Sequence, residues 1–269
     1  MKRLAIIGGG NIGLAIARGL VRKAGVDPET ITITRRTESA LAPIGEEGFT
    51  TTSENRTAVA GAELVLLCVQ PGQALDVLRE LSDALDPERH TVVSVITGVP
   101  CLALAEATRG GSGQAVPVVR AMPNTAVANG ESMTCIASDG ADVSPAVELF
   151  DQVGTTLVIA EDLMTQATAL CACGIAFFLR AIRAASQGGI EIGFHAEEAL
   201  AMAAQTARGA ASLLAQGRGH PESEIDRVTT PMGCTIAGLN RMEHEGFSSA
   251  MIKGIVTSAN KAGTLGTGD

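Results

Sequence analysis

The sequence predicts an α/β protein in two parts, a doubly wound sheet followed by an all-helical region. Three observations carry this. Short β-branched runs alternate with helical patterns up to about residue 160, a glycine-rich turn follows the first run, and strand signals stop after residue 161. Such alternation requires parallel strands joined by crossover helices that cover both faces of one sheet. A chain of 269 residues is too long for one small core, and it divides at this change of pattern into residues 1–160 and 161–269.

Taken in order, the expected strands are residues 4–7, 31–34, 64–69, 91–96, 115–121 and 133–138. Amphipathic segments at 11–24 and 72–85 supply crossover helices. No clear helix separates the last two runs, which are therefore expected to pair antiparallel at an edge. The later helical patterns are 163–187, 195–215, 231–245 and 248–262, punctuated by Gly188-Gly189 and by the glycines at 217–219. The uncharged stretch 163–179 contains Thr and Gln and falls short of a comfortable membrane span. It reads as a helix buried between protein surfaces, which predicts an obligate dimer.

Composition narrows the function. With 46% hydrophobic residues, wholesale disorder is excluded. A net charge of −9 and six Phe as the only aromatic residues leave no basic face and almost no platform for stacking bases. That argues against nucleic acid as a partner. The N-terminal apolar run is too short for a signal-peptide core, and a cytoplasmic protein acting on a small molecule is expected. None of the cysteines Cys68, Cys101, Cys135, Cys171, Cys173 and Cys234 forms a C-x-x-C pair, and buried reduced thiols are expected. A metal or redox site at Cys171-Ala172-Cys173 is disfavoured by its helical setting without a nearby His, so no metal is expected.

Gly8-Gly9-Gly10-Asn11-Ile12-Gly13 fits G-x-G-x-x-G between an expected strand and an expected helix, the setting that pattern needs. Gly8 allows the tight turn, Gly10 lets the backbone approach a pyrophosphate, and Gly13 lets helix and strand pack closely. Exposed N–H groups at the helix start carry the phosphate charge. At the end of the second strand, where NAD-binding folds place Asp or Glu, the chain reads Thr34-Arg35-Arg36-Thr37. Two guanidiniums suit a 2′-phosphate, which favours NADPH over NADH. The run Arg120-Ala121-Met122-Pro123-Asn124-Thr125 ends a strand in a proline turn, at the edge where open sheets bind ligands. Further on, Thr230 before Pro231 reads as a helix N-cap with proline at the first helical position. Such an end offers N–H groups to a carboxylate, with the Thr235 hydroxyl one turn inside.

With these motifs in place, the chain resembles the pyrroline-5-carboxylate reductases, over essentially its whole length. Residues 120–134 are similar to the family run R-x-M-P-N-T-x-x-x-x-G-x-x-x-T, and residues 205–210 to Q-T-x-x-G-A. Residues 230–239 match S-P-G-G-T-T-I-x-G-L with three changes, continued by Glu243, Gly246 and Phe247. The resemblance implies a Rossmann-type domain, then a helical domain that interlocks with a second copy as a homodimer or larger homo-oligomer. It implies NAD(P)H-dependent reduction of the cyclic imine 1-pyrroline-5-carboxylate to L-proline. It assigns Asn11 and Ile12 to the cofactor loop, Asn55 to the ribose, and Val69-Gln70-Pro71, Thr97-Gly98 and Asn124 to further cofactor contacts. Thr235 falls on the threonine that reaches the ring nitrogen, with Thr230, Gly233 and Cys234 at the carboxylate.

Four departures are visible. Gln70 replaces a lysine, Cys171–Ile175 replaces most of an S-G-S-G-P segment, Arg183 replaces an acidic residue, and Met232 replaces a glycine. They keep two alternatives open, a reductase of another cyclic imine carboxylate and a non-catalytic NADP-binding descendant. The β-hydroxyacid dehydrogenases share the domain plan but use a lysine on the long helix. The lysines here, Lys2, Lys23, Lys253 and Lys261, leave that helix without one.

Overall fold

The computed structural model describes residues 3–111, 113–215 and 219–264. Its first part runs β1 (Leu4–Ile7), α1 (Asn11–Ala24), β2 (Ile31–Thr34), α2 (Ala42–Glu46), β3 (Thr50–Thr52), α3 (Asn55–Ala60), β4 (Leu64–Leu67), α4 (Ala74–Leu81), β5 (Thr91–Ser94), α5 (Cys101–Ala107), β6 (Val118–Met122), β7 (Ser132–Ser138), α6 (Ser144–Phe150) and β8 (Gly154–Val158). The strands form one sheet in the order β3-β2-β1-β4-β5-β6-β7-β8. The run from β3 to β6 is parallel and has the Rossmann order, reversing direction of progress between β1 and β4.

Period-two alternation along each strand builds both faces. Leu4 and Ile6 of β1 meet Ile16 and Leu20 of α1 in one core, while Ala5 and Ile7 meet Leu78 and Leu81 of α4 in the other. All four β1 residues are buried, as a central parallel strand requires. Gly25 ends α1 in the left-handed region at φ 67°, with Arg22 and Lys23 facing the negative end of the helix dipole.

The structure amends the sequence expectations in several places. β7 pairs antiparallel with β6, but β8 lies outside it in parallel pairing, so β7 is not an edge. Neither β3 nor β8 was expected. Thr50–Thr52 has no apolar residue to show a strand period, and Gly154–Val158 leaves Leu157 and Val158 exposed.

The second part continues through α7 (Met164–Ala167), a π-helical turn at Thr168–Cys173, α8 (Gly174–Glu191), α9 (Ala196–Ala215), α10 (Pro221–Val228), α11 (Cys234–His244) and α12 (Phe247–Thr264). Gly188-Gly189 does not break α8. A Cβ at Gly189 would lie 3.0 Å from the Ala199 Cβ, so this glycine lets α8 approach α9 closely. Of the expected break at 217–219, residues 217 and 218 lie outside the described residues. The helical stretch Glu161–Glu191 is 31 residues long with mean hydropathy 1.5 over its best 18-residue window. It passes a length and composition threshold for a span, but one such helix is weak evidence, and the sequence expectation of a helix that is no comfortable membrane span is kept.

The chain divides into two compact units. One holds the sheet, continues to Cys173 and includes α12 from Ser258 onward; the other is Gly174–Thr257. The sheet unit has its own cores. In the helical unit, Phe178, Leu179, Ile252 and Val256 are all more than half exposed, and an apolar cavity of 690 Å³ opens between α8 and α9.

Candidate functional site: a nucleotide cavity and a helix start

In the sheet unit, a cavity of 650 Å³ opens at the carboxyl ends of β1, β2 and β4. This is the switch point where an open α/β sheet leaves room for a ligand. The glycine turn forms its floor. Gly8 has φ 107°, and a Cβ there would lie 2.7 Å from the Cys68 carbonyl oxygen. A Cβ at Gly13 would lie 2.5 Å from the Gly8 carbonyl oxygen, so α1 can start only where glycine allows the contact. Gly10 differs: a Cβ there meets nothing within 4 Å, because that face opens outward. Gly8 and Gly13 thus have the steric duties that the spacing predicts, and Gly10 leaves the outer face of the loop open.

Thr34 fixes the turn from β2. Its buried hydroxyl accepts a hydrogen bond from the Gly8 N–H at 3.2 Å, and its carbonyl accepts one from the Gly9 N–H at 2.7 Å. The α1 start at Gly10 has no side-chain cap, so no protein side chain competes for the first-turn N–H groups. Arg35 and Arg36 are exposed on the cavity wall, with Asn55, Val69 and Gln70 opposite or beside them.

Other expected cofactor residues lie apart from the cavity lining: Asn11, Ile12, Pro71, Thr97, Gly98 and Asn124. Thr97 and Gly98 follow β5, with Gly98 at φ 84°. Asn124 is engaged at both ends of its amide. Its Oδ1 accepts from the Ala126 N–H at 3.0 Å, and its Nδ2 donates to the Cys171 carbonyl at 3.2 Å. Sequence reasoning missed Cys68, Gln73, Asp76 and Glu80 in the wall. Cys68 directly follows β4 at the same sheet edge as Gly8, a placement that pointed to it. Burial pushes its thiol well above the ordinary range, so it lines the cavity as an inert apolar group.

Arg120, also singled out by sequence, belongs to the frame. It is buried in β6 and pairs with Glu161 at 3.3 Å, while Glu161 also accepts the Cys101 N–H at 2.5 Å. Among the described residues its Nε is buried without a hydrogen-bond partner. Burial, then the neighbouring Glu161 carboxylate, pushes the Cys101 thiol up to about 12.

In the helical unit, Thr230, Gly233, Cys234 and Thr235 are gathered at the start of α11. The helix does not begin at Pro231, as the Thr-Pro pair predicts. Pro231 and Met232 form a turn closed by the Gly233 N–H on the Thr230 carbonyl at 3.0 Å, and α11 starts at Cys234 with Gly233 as N-cap. Met232 takes φ 56°, a left-handed conformation uncommon outside glycine, and is fully exposed. Thr235 therefore stands in the first turn, not one turn inside. A Cβ on Gly233 would lie 2.5 Å from the Thr230 Oγ1 and 3.0 Å from the Thr230 carbonyl oxygen, so a side chain there would displace the Thr230 hydroxyl. No side chain caps α11, and its first-turn N–H groups are available to an anion.

Contrary to the expectation of buried thiols, Cys171 and Cys173 are half-buried and Cys234 is exposed; all six cysteines are unpaired thiols. Among the described residues no group of three or more His, Cys, Asp or Glu is placed to hold a metal ion.

Comparison with known proteins places these features in a lineage. Residues 161–265 match the family model described as pyrroline-5-carboxylate reductase dimerisation, and residues 3–98 match that for NADP oxidoreductase, coenzyme F420-dependent. Pyrroline-5-carboxylate reductase 2 of Dictyostelium discoideum is 44% identical over 97% of this chain and 92% of its own length. Pyrroline-5-carboxylate reductase 1 of the same organism is 49% identical over 98% of this chain, which spans only 50% of that relative. The structure of a pyrroline-5-carboxylate reductase from Coxiella burnetii superposes with TM-score 0.86 at 28% identity, covering 98% of both chains.

Proposed function

This chain belongs to the pyrroline-5-carboxylate reductase family, and we propose that it reduces 1-pyrroline-5-carboxylate to L-proline with NADPH, the last step of proline biosynthesis. One observation carries the reading: a single cavity joins an anion-binding helix start, opened by Gly10, to the two guanidiniums of Arg35 and Arg36. These residues fit a dinucleotide carrying an extra phosphate.

In this reading Gly8, Gly9, Gly10 and Gly13 shape the loop, and the Asn11 and Ile12 amides at the start of α1 receive the pyrophosphate. Arg35 and Arg36 hold the 2′-phosphate, Asn55 the ribose, and Val69, Gln70, Pro71, Thr97, Gly98 and Asn124 form or support the nicotinamide side. When bound, NADPH supplies the hydride. The protein's remaining work is to hold the imine carbon in line and to keep water out. The substrate carboxylate is received by the amides of Cys234 and Thr235 with the Thr230 hydroxyl, and Gly233 keeps that approach clear. Thr235 then bonds the ring nitrogen as it becomes an amine. Its hydroxyl is too weak an acid to protonate the nitrogen alone, so it holds the N–H of an imine that arrives protonated. When the carbon is reduced the nitrogen keeps that proton and becomes a neutral amine.

The division of labour assigns residues 1–160 to the cofactor and residues 161–269 to dimerisation and substrate. The dimerisation match and the outward apolar residues of α8 and α12 support a homodimer, and we place it in the cytoplasm as a small-molecule enzyme. A reductase for a different cyclic imine carboxylate is the second reading. The exposed, left-handed Met232 beside the α11 start favours it. NADPH oxidation with a panel of five- and six-membered cyclic imine carboxylates tests both. The five-membered 1-pyrroline-5-carboxylate should be turned over fastest. Preference for a six-membered ring would transfer the assignment to the second reading, and no oxidation with any member would remove catalysis altogether.

A further inference from the structure

Sequence spacing pairs Cys171 with Cys173, but the structure pairs it differently. Cys135 lies on β7 and Cys171 in the π-helical turn Thr168–Cys173, with their Sγ atoms 3.7 Å apart. Both belong to the sheet unit. The contact joins segments 36 residues apart in sequence, so it is a product of the fold and not of local geometry. We propose that Cys135 and Cys171 are a redox modification site, closed to a disulfide by a peroxide and reopened by a thiol reductant, which fastens the π-helical turn to the sheet.

The two sulfurs have unequal surroundings suited to successive steps. Cys171 is half-buried, the more exposed of the two to a small oxidant, whereas Cys135 is buried. The two sulfurs share one contact that either could donate; it holds the Cys171 thiol below its ordinary range and, with burial, pushes the Cys135 thiol up. Cys171 is thus the sulfur with thiolate character near neutral pH. It attacks a hydrogen peroxide oxygen; an S–O bond forms, the O–O bond breaks, and one water leaves with Cys171 as a sulfenic acid. The Cys135 sulfur then attacks the Cys171 sulfur. The S–S bond forms, the S–O bond breaks, and the oxygen departs with the Cys135 proton as a second water. Two electrons pass from the sulfurs to the peroxide. Closure shortens 3.7 Å to about 2.0 Å, a small movement for a side chain.

The backbone at Cys171 is already held in register, because its carbonyl accepts the Asn124 amide at 3.2 Å. A π-helical turn also holds a wider, less regular backbone than the α-helix that follows it, which gives the sulfur room to move. Among the other thiols, Cys101 finds the Ala137 carbonyl oxygen at 4.0 Å, and Cys68 is buried beside the glycine turn.

The full-length protein is treated with a small excess of hydrogen peroxide, free thiols are alkylated, and the product is cleaved at acidic residues. Glu148 and Asp151 lie between the two cysteines, so the disulfide appears as two linked peptides, which fragmentation assigns to Cys135 and Cys171. The thermal midpoint of the oxidised protein should rise by about 5 °C or more and return after thiol reduction. Cys171→Ser and Cys135→Ser should each abolish both the linked peptides and the rise. The proposal is overturned if both residues alkylate as thiols after the exposed Cys234 has been oxidised, if Cys171 links to Cys173, or if the link forms without raising the midpoint. None of these readouts requires substrate, so they stand apart from the catalytic assignment.

Discussion

The sheet unit and the helical unit bury their apolar residues in opposite ways. In the first, β1, β2, β4 and β5 are covered on both faces by helices of the same chain, and Ile6, Ile7, Leu66 and Leu67 have no exposed surface. In the second, α8 buries only Gly174 and Ser186, and α9 only Ala199, while phenylalanines and leucines face outward. Apolar area stabilises at about 25 cal/mol per Å² only when something removes it from water. The sheet unit therefore builds its cores from its own residues, and the helical unit, which matches a dimerisation family model, leaves apolar surface for a second copy to cover. The contrast separates two expectations: the 650 Å³ cavity is lined entirely by residues of the sheet unit, whereas the helical unit is proposed to depend on a partner copy for its stability.

The sharpest way to break this contrast is Phe178→Asp, which puts a carboxylate on the apolar wall between α8 and α9. Burying that charge without a partner costs several kcal/mol, so dimer and turnover should both be lost by more than about a hundredfold. Sedimentation at micromolar concentration checks it; a native chain that runs there as a folded, active monomer would refute the contrast itself. Next comes cofactor choice, which lies wholly in the sheet unit. Replacing Arg35 and Arg36 with Ala removes two charge-assisted contacts at about 1.5–3 kcal/mol each, a loss of a hundredfold or more in NADPH affinity with little change for NADH. NADPH fluorescence titration measures it, and equal losses for the two cofactors would sink the assignment.

Thr235→Val tests the helical unit's share of the chemistry. The lost bond is worth about 1–3 kcal/mol, hence about ten- to a hundredfold in kcat/KM, with NADPH binding unchanged. Unchanged kcat/KM would leave Thr235 as a plain helix-start residue. Gly10→Ala sharpens the comparison from the other side, since nothing within 4 Å meets the new methyl group. Its thermal midpoint should stay within about 2 °C of the native value while the KM for NADPH rises several-fold. A lower midpoint with unaltered KM would show that the open face of Gly10 serves packing.

The smallest effect expected is on pH. His90 is buried, its Nδ1 accepting the Asp86 N–H at 2.8 Å, with Nε2 3.3 Å from the Val59 carbonyl. Burial lowers its pKa, aided by Arg89, so the native state prefers the neutral ring. The unfolded chain then binds more protons, and this contribution is full above pH about 6.5 and lost as pH falls through the lowered native value. Melting curves between pH 7 and pH 5 should show a modest decline that His90→Gln flattens.

Much of this was legible because the relevant signals are local. β1 and β2 were read to the residue, since L-A-I-I and I-T-I-T combine β-branched content with flanking turns. The glycine turn was equally legible, because Gly8 and Gly13 answer to two different steric demands that spacing encodes. α10 was missed, although His220, Pro221 and Glu222 carry an N-cap, an N1 proline and a first-turn acid. Its polar sequence offered no apolar stripe to draw attention there. The Thr230-Pro231 signal misled for a different reason: proline opens a turn as readily as a helix, and Met232 at φ 56° diverts the chain before α11 begins. The contact between Cys135 and Cys171 had no local signature at all, because it exists only once β7 and the π-helical turn are assembled.

Thr34 has a practical consequence for anyone wishing to redesign this enzyme. The residue that leads into Arg35 and Arg36 is also the one that clasps Gly8 and Gly9 through both its hydroxyl and its carbonyl. The loop proposed for the pyrophosphate and the arginines proposed for the 2′-phosphate are thus held by one piece of chain. A switch from NADPH to NADH should be engineered at positions 35–37 with Thr34 left alone; a library that randomises all four positions would discard most of its members to a collapsed phosphate loop before cofactor choice was ever sampled.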